Sequence, residues 1–183
     1  MKLFMFVMFA ALLLVGMNTA SAQIPQPIPI TANVSAAPLA ITPGDLTLDA
    51  LQAGTTYTAI PDGAGSLALA PNDGVAAVSS ATETNILGDV NAQILVSFVL
   101  PSRLYNSGAA SGYVLIRFNN TSAAWGASGI ESNYFDPNTP ATMSLDNSGN
   151  VFISLGAIIT VPPNTGTDAY VGEALITAQY TGL

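Results

Sequence analysis

The apolar residues of this chain recur mostly in short runs with a period of two, and turn-forming residues separate the runs. A period of two is typical of half-buried β-strands, because successive side chains of a strand point to opposite faces of the sheet. Residues 92–100 and 113–118 are the clearest predicted strands. A helical period with paired caps does not occur in the sequence. The pattern predicts an all-β fold, a single Ig-like or Greek-key antiparallel β-sandwich.

Three local predictions concern the second half of the chain. Residues 146–150 have a turn composition and lie between two strand-like runs, which predicts a β-hairpin of 141–145 with 151–161. Residues 170–180 alternate without interruption and predict one long closing strand. The stretch that follows Phe118 predicts mainly loops.

The first residues have the composition of an export signal. Lys2 precedes an apolar run that ends near Met17, and small residues follow it. Ala20 and Ala22 fit the small-x-small pattern of a signal peptidase site, which predicts cleavage between Ala22 and Gln23. The run is too short to span a bilayer, which needs about 20 apolar residues. We therefore predict a secreted or extracytoplasmic protein (periplasm, cell surface or extracellular) that does not insert into a membrane after cleavage.

The predicted domains are a signal peptide at 1–22, a proline-rich arm at 23–30 and a β-sandwich at 31–183. Three prolines in the arm favour an extended conformation. The following stretch alternates, and its apolar residues share one face: Ile28, Ile30, Ala32, Val34 and Ala36. A strand of this kind can add to the sheet edge of another copy, or it can be the first strand of its own domain. The sequence leaves both interpretations open.

The charged and nucleophilic residues argue against most enzyme classes. The chain has no Cys and no His, so the usual catalytic triads and Cys/His zinc sites cannot form. Three Lys and Arg residues stand against eleven Asp and Glu, a net charge of −8 that opposes nucleic-acid binding. Most of the acids lie beside turn residues, which favours turn capping over a catalytic carboxylate pair. We predict that the protein is not an enzyme and has no catalytic residues, cofactor or metal.

Three aromatic residues form a second candidate site. Trp125, Tyr134 and Phe135 lie within the stretch after Phe118, where exposed rings would stack on sugars. The alternative is that Trp125 is a core residue, because aromatic side chains bury large areas.

Three stretches together resemble one protein family. Residues 36–42 with 46–48, residues 88–101 and residues 170–180 are similar to the opening, central and closing segments of the DUF4402 family. That resemblance implies a bacterial secreted β-sandwich without an established activity. The glycine that the family has after its second strand is absent here, because Leu48 is followed by Asp49.

These observations predict a non-enzymatic structural or surface-assembly protein, a pilus or fibre-type subunit that joins by β-strand addition. Its partners would be further copies of itself or other surface proteins. The alternative function is an extracellular carbohydrate- or surface-binding module that uses the three aromatic residues.

Overall fold

A computed structural model describes residues 36–48, 51–61, 67–71, 79–106 and 112–182, and within these ranges the chain forms only β-strands, turns and irregular segments. The strands, in chain order, are β1 (Ala40–Thr42), β2 (Leu46–Leu48), β3 (Thr56–Pro61), β4 (Leu67–Pro71), β5 (Ser79–Ala81), β6 (Thr84–Leu87), β7 (Gln93–Val99), β8 (Arg103–Asn106), β9 (Tyr113–Arg117), β10 (Ala123–Gly126), β11 (Asn133–Phe135), β12 (Ala141–Ser144), β13 (Asn150–Leu155), β14 (Ala157–Thr160), β15 (Tyr170–Val171) and β16 (Leu175–Tyr180). The predicted all-β antiparallel architecture is confirmed. No helix in the described ranges is long and apolar enough to cross a membrane.

Two of the sheets share one hydrophobic core, as in a β-sandwich. A five-stranded sheet has the order β1-β6-β13-β10-β11, and a three-stranded sheet has the order β12-β7-β16. Alternate residues of both sheets point inward and are buried, among them Ile86, Val151 and Ile153 from the first sheet and Ile94, Val96 and Met143 from the second. Burial of these side chains is the main source of stability in a chain without disulfides.

A six-stranded sheet with its own core extends the fold. Its order is β15-β8-β9-β14-β3-β4, and β2 pairs with β5 in a further two-stranded sheet. The inward residues of the six-stranded sheet are buried and include Tyr57, Val114, Ile116 and Ile159. Leu46 and Leu48 of β2 pack against this second core.

The chain passes from the first core to the second at Gly156, between β13 and β14. A Cβ atom at this position would lie 2.1 Å from the carbonyl oxygen of Ala59 in β3. Only glycine therefore allows the two backbones to approach this closely. The single strand predicted for 151–161 is in fact two strands that belong to different sheets.

The hairpin predicted across residues 146–150 is wrong. β12 pairs with β7, whereas β13 pairs with β6 and β10, so the two strands lie in opposite layers of the sandwich. The turn itself is as expected, because the Asp146 carboxylate accepts hydrogen bonds from the backbone of Ser148 and Asn150. The strands separate after it because each has a buried apolar face, with Met143 on β12 and Val151 on β13.

Two further predictions are corrected. The alternating stretch 170–180 is divided, because β15 pairs with β8 and β16 pairs with β7. A Cβ on Gly172 would lie 2.7 Å from the Leu104 side chain, so the chain changes sheet where it has no side chain. The stretch after Phe118 also contains two short strands, β10 and β11, which pair with each other.

Candidate functional site

The outer side of β16 is a sheet edge that no strand in the described ranges covers. Among the described strands, β16 pairs only with β7, along all six of its residues. The backbone groups on the other side of such a strand are available to an additional strand. Leu175, at the start of β16, is 60 % exposed.

The hydrophobic core is incomplete along this edge. Ile176, Ala178 and Tyr180 point inward from β16 and pack against the first core, yet all three are only half-buried. Their neighbour Val96 on the central strand β7 is fully buried. An additional strand beside β16 would therefore cover apolar surface as well as pair with the backbone.

The chain enters the sandwich at the C-terminal end of β16. The Tyr180 hydroxyl donates a hydrogen bond of 2.9 Å to the carbonyl oxygen of Ala37 and accepts one of 2.8 Å from the backbone N–H of Asp89. The backbone N–H of Ala37 in turn donates to Asp89 Oδ1 at 3.0 Å.

The residues predicted for strand addition mostly lie outside the described part of the chain. This applies to Ile28, Ile30, Ala32 and Val34, to the proline-rich arm and to the predicted cleavage residues Ala20, Ala22 and Gln23. Ala36 is described and is half-buried.

The three aromatic candidates do not share one face. Trp125 and Phe135 point inward and pack against the first core, and the Phe135 ring lies 6.2 Å from that of Phe98. Tyr134 points to the opposite side of β11 and is 49 % exposed, with its hydroxyl donating to the Pro61 carbonyl oxygen at 2.7 Å. The structure therefore provides no common platform of three rings.

A pair of carboxyl groups, which sequence patterns do not single out, lies near the loop between β10 and β11. Glu83 accepts hydrogen bonds from the Ser128 hydroxyl at 2.7 Å and from the backbone N–H of Gly129 at 2.6 Å. Glu131 is within hydrogen-bonding reach of Glu83 and is only 1 % exposed. Neither Glu131 oxygen accepts a hydrogen bond from a described donor.

The environment shifts the pKa values of these two carboxyl groups in opposite directions. Burial raises the pKa of Glu131 to about 7, and the hydrogen bond to Glu83 and its negative charge act in the same direction. Burial also tends to raise the pKa of Glu83, but the hydrogen bonds from Glu131, Ser128 and Gly129 outweigh it and lower that pKa. A single proton held on Glu131 and donated to Glu83 satisfies both groups.

This geometry does not suit glycoside hydrolysis. The two carboxyls of a glycosidase stand about 5–10 Å apart so that a sugar or water fits between them. Glu131 is within hydrogen-bonding reach of Glu83, closer than that separation, and is closed to solvent. The pair therefore fastens the loop that contains Ser128 and Gly129 to the residue that precedes β6. No group of three or more metal-ligating acidic, His or Cys side chains occurs in the described ranges.

In comparisons with known proteins, no family model and no curated protein matches this chain.

Proposed function

We propose that this protein is an exported, non-enzymatic structural subunit that assembles by β-strand addition. In this proposal residues 28–36 of one copy pair with the open edge of β16 in the next copy. The observation that carries the proposal is the incomplete core beside β16, where Ile176, Ala178 and Tyr180 are half-buried.

The chemistry of the two partners is complementary. The segment has an apolar residue at every second position, so one of its faces can cover the inward side chains of β16. Burial of an Ile or Val side chain contributes about 1.5–3 kcal/mol. Pro29 is compatible with this role, because an added strand becomes the new edge of the sheet, where proline is tolerated.

Strand direction favours a second copy over the segment's own domain. Within one copy, residues leading to Ala37 could pair with β16 only in the parallel direction. The reason is that the Ala37 carbonyl oxygen is hydrogen-bonded to the Tyr180 hydroxyl at the end of that strand. Every described strand pair is antiparallel. A segment from another copy can adopt the antiparallel direction and would extend this pattern.

Export is part of the proposal and is supported by the apolar run before Ala20 and Ala22. Cleavage after Ala22 would leave Gln23 at the free end of the arm. A head-to-tail contact of this type produces open fibres when the rotation between successive copies does not close a ring. The same proposal agrees with the resemblance to the secreted DUF4402 domains.

A matched pair of substitutions in the segment tests strand addition. Ile30→Asp places a charge on the apolar face, whereas Thr31→Asp places it on the opposite face. We expect the Ile30→Asp protein to be a folded monomer in light scattering, and the Thr31→Asp protein to assemble as the native chain does. Equal assembly of both variants, or a native chain that stays monomeric at high concentration, would contradict the proposal.

A further inference from the structure

Both arginines of the chain lie on the outer face of the six-stranded sheet. Arg103 on β8 is paired with Leu115 on β9, and Arg117 is two residues further along β9, so the two side chains point to the same side. The only other cation is Lys2, within the predicted signal peptide. Both arginines are exposed.

The same face presents exposed aromatic and apolar side chains. Val171, Tyr105 and Tyr113 stand opposite one another on β15, β8 and β9 and are 58 %, 58 % and 38 % exposed. The Arg103 guanidinium carbon lies 4.4 Å from the centre of the Tyr113 ring, a cation–π contact that holds the charge over the face. Tyr and Arg, together with Trp, are enriched among the residues that contribute most of the binding energy at protein interfaces. We refer to these five residues as the arginine–tyrosine face.

The end of the domain where the chain enters is acidic. Two loops meet there through backbone hydrogen bonds, Gly88 N–H to Gly149 O at 2.8 Å and Asn91 N–H to Asp146 O at 3.0 Å. One loop contains Asp89 and the other contains Asp146. We refer to Asp89 and Asp146 as the acidic end.

Strand addition in the antiparallel direction determines which surfaces meet. The incoming segment would finish beside Ile176 near the start of β16, and the acidic end of its own domain follows directly, since the backbone N–H of Ala37 is hydrogen-bonded to Asp89. The start of β16 adjoins the six-stranded sheet, because a Cβ on Gly172 would lie 3.4 Å from the carbonyl oxygen of Arg103. The two surfaces with opposite charge are therefore brought to the same junction.

We propose that the arginine–tyrosine face of one copy binds the acidic end of the next copy in the assembly. This inference rests on the proposed strand addition and names the second contact between the same two subunits. The charges select the head-to-tail orientation and accelerate the encounter of two copies. The side chains of Val171, Tyr105 and Tyr113 supply buried area.

The test measures the rate of assembly by light scattering at low and high salt. Arg103→Glu with Arg117→Glu should slow assembly about tenfold at low salt, and the corresponding Lys variants should stay within about threefold of the native rate. Asp89→Asn with Asp146→Asn keeps the side-chain oxygens that accept backbone hydrogen bonds and should slow assembly several-fold. High salt should reduce all these differences.

Two outcomes would overturn the inference, and both differ from failure of strand addition. If the Glu variants assemble at the native rate while Ile30→Asp does not assemble, strand addition stands and the charged contact is absent. If the Glu variants assemble normally but lose binding to a sulfated polysaccharide, the face is an anion site and not a subunit interface. A native chain that never assembles would instead contradict strand addition itself.

Discussion

Gly156→Ala is expected to destabilise the fold by about 3 kcal/mol or more, because the new Cβ would lie 2.1 Å from the Ala59 carbonyl oxygen. A backbone oxygen cannot rotate away as a flexible side chain can. The strand pair β3–β14 must therefore separate or the junction between β13 and β14 must shift. Either change disturbs the second core, to which Ala59 and Ala157 belong.

Urea unfolding followed by circular dichroism measures this effect. Gly182→Ala is the matched control, since a Cβ at that position meets nothing within 4 Å. We expect the control to unfold at the native midpoint. A Gly156→Ala protein with the native midpoint would show that the close approach of the two backbones does not occur.

Glu131→Gln is expected to remove a pH dependence of stability between about pH 4.5 and 7. The folded state holds the Glu131 proton to a pKa of about 7, whereas the unfolded value is 4.5. Below the unfolded pKa the group is protonated in both states and does not oppose folding. As pH rises towards 7, the unfolded state releases the proton first, so stability falls, by at most about 3 kcal/mol once pH exceeds the folded pKa.

Glu83 changes the stability of the fold with pH in the opposite direction to Glu131. Because its pKa is lowered in the folded state, its stabilising effect is present above the unfolded pKa and is lost as pH falls through the folded value. The pair is therefore most stable with one proton, between the two folded pKa values. Thermal unfolding from pH 3 to 9 should show this maximum.

The control for this series is Glu173→Gln, which removes an exposed carboxylate. It should leave the shape of the pH profile unchanged. Glu131→Gln should equal or exceed the native stability at pH 8, because a neutral amide can donate to Glu83. Native and Glu131→Gln profiles that decline in parallel above pH 5 would contradict the shared-proton arrangement.

The sequence was informative where the local pattern decides the structure. The nearly continuous run of apolar and β-forming residues at 92–100 predicted β7, and the composition of residues 146–150 predicted the Asp146 turn. Which strands pair depends on contacts between distant residues, and the local pattern does not contain them. The local pattern thus predicts one hairpin of β12 and β13, although their apolar faces pack across the sandwich.

The candidate sites show the same difference between what a local pattern reveals and what only the fold reveals. The apolar face of residues 28–36 is visible as a periodic pattern, but the open edge of β16 becomes visible only when the sheet order is known. Glu83 and Glu131 belong to no local motif and meet only in the fold, when the loop after β10 approaches the residue before β6. The arginine–tyrosine face likewise requires the register of β8 and β9, because Arg117 alone does not reveal its orientation.

Disulfide cross-linking between copies tests strand addition most directly. The chain has no cysteine of its own, so only introduced cysteines can form the cross-link. Val34→Cys and Ala178→Cys, which the antiparallel pairing places opposite each other, are made as separate single variants, mixed and oxidised. Strand addition predicts a covalent heterodimer of the two variants, suppressed by excess peptide of residues 23–36. A chain with both substitutions should then form a ladder of covalent multimers. A cross-linked monomer of the double variant, with no heterodimer in the mixture, would show that the segment pairs within its own domain and would contradict the proposed assembly.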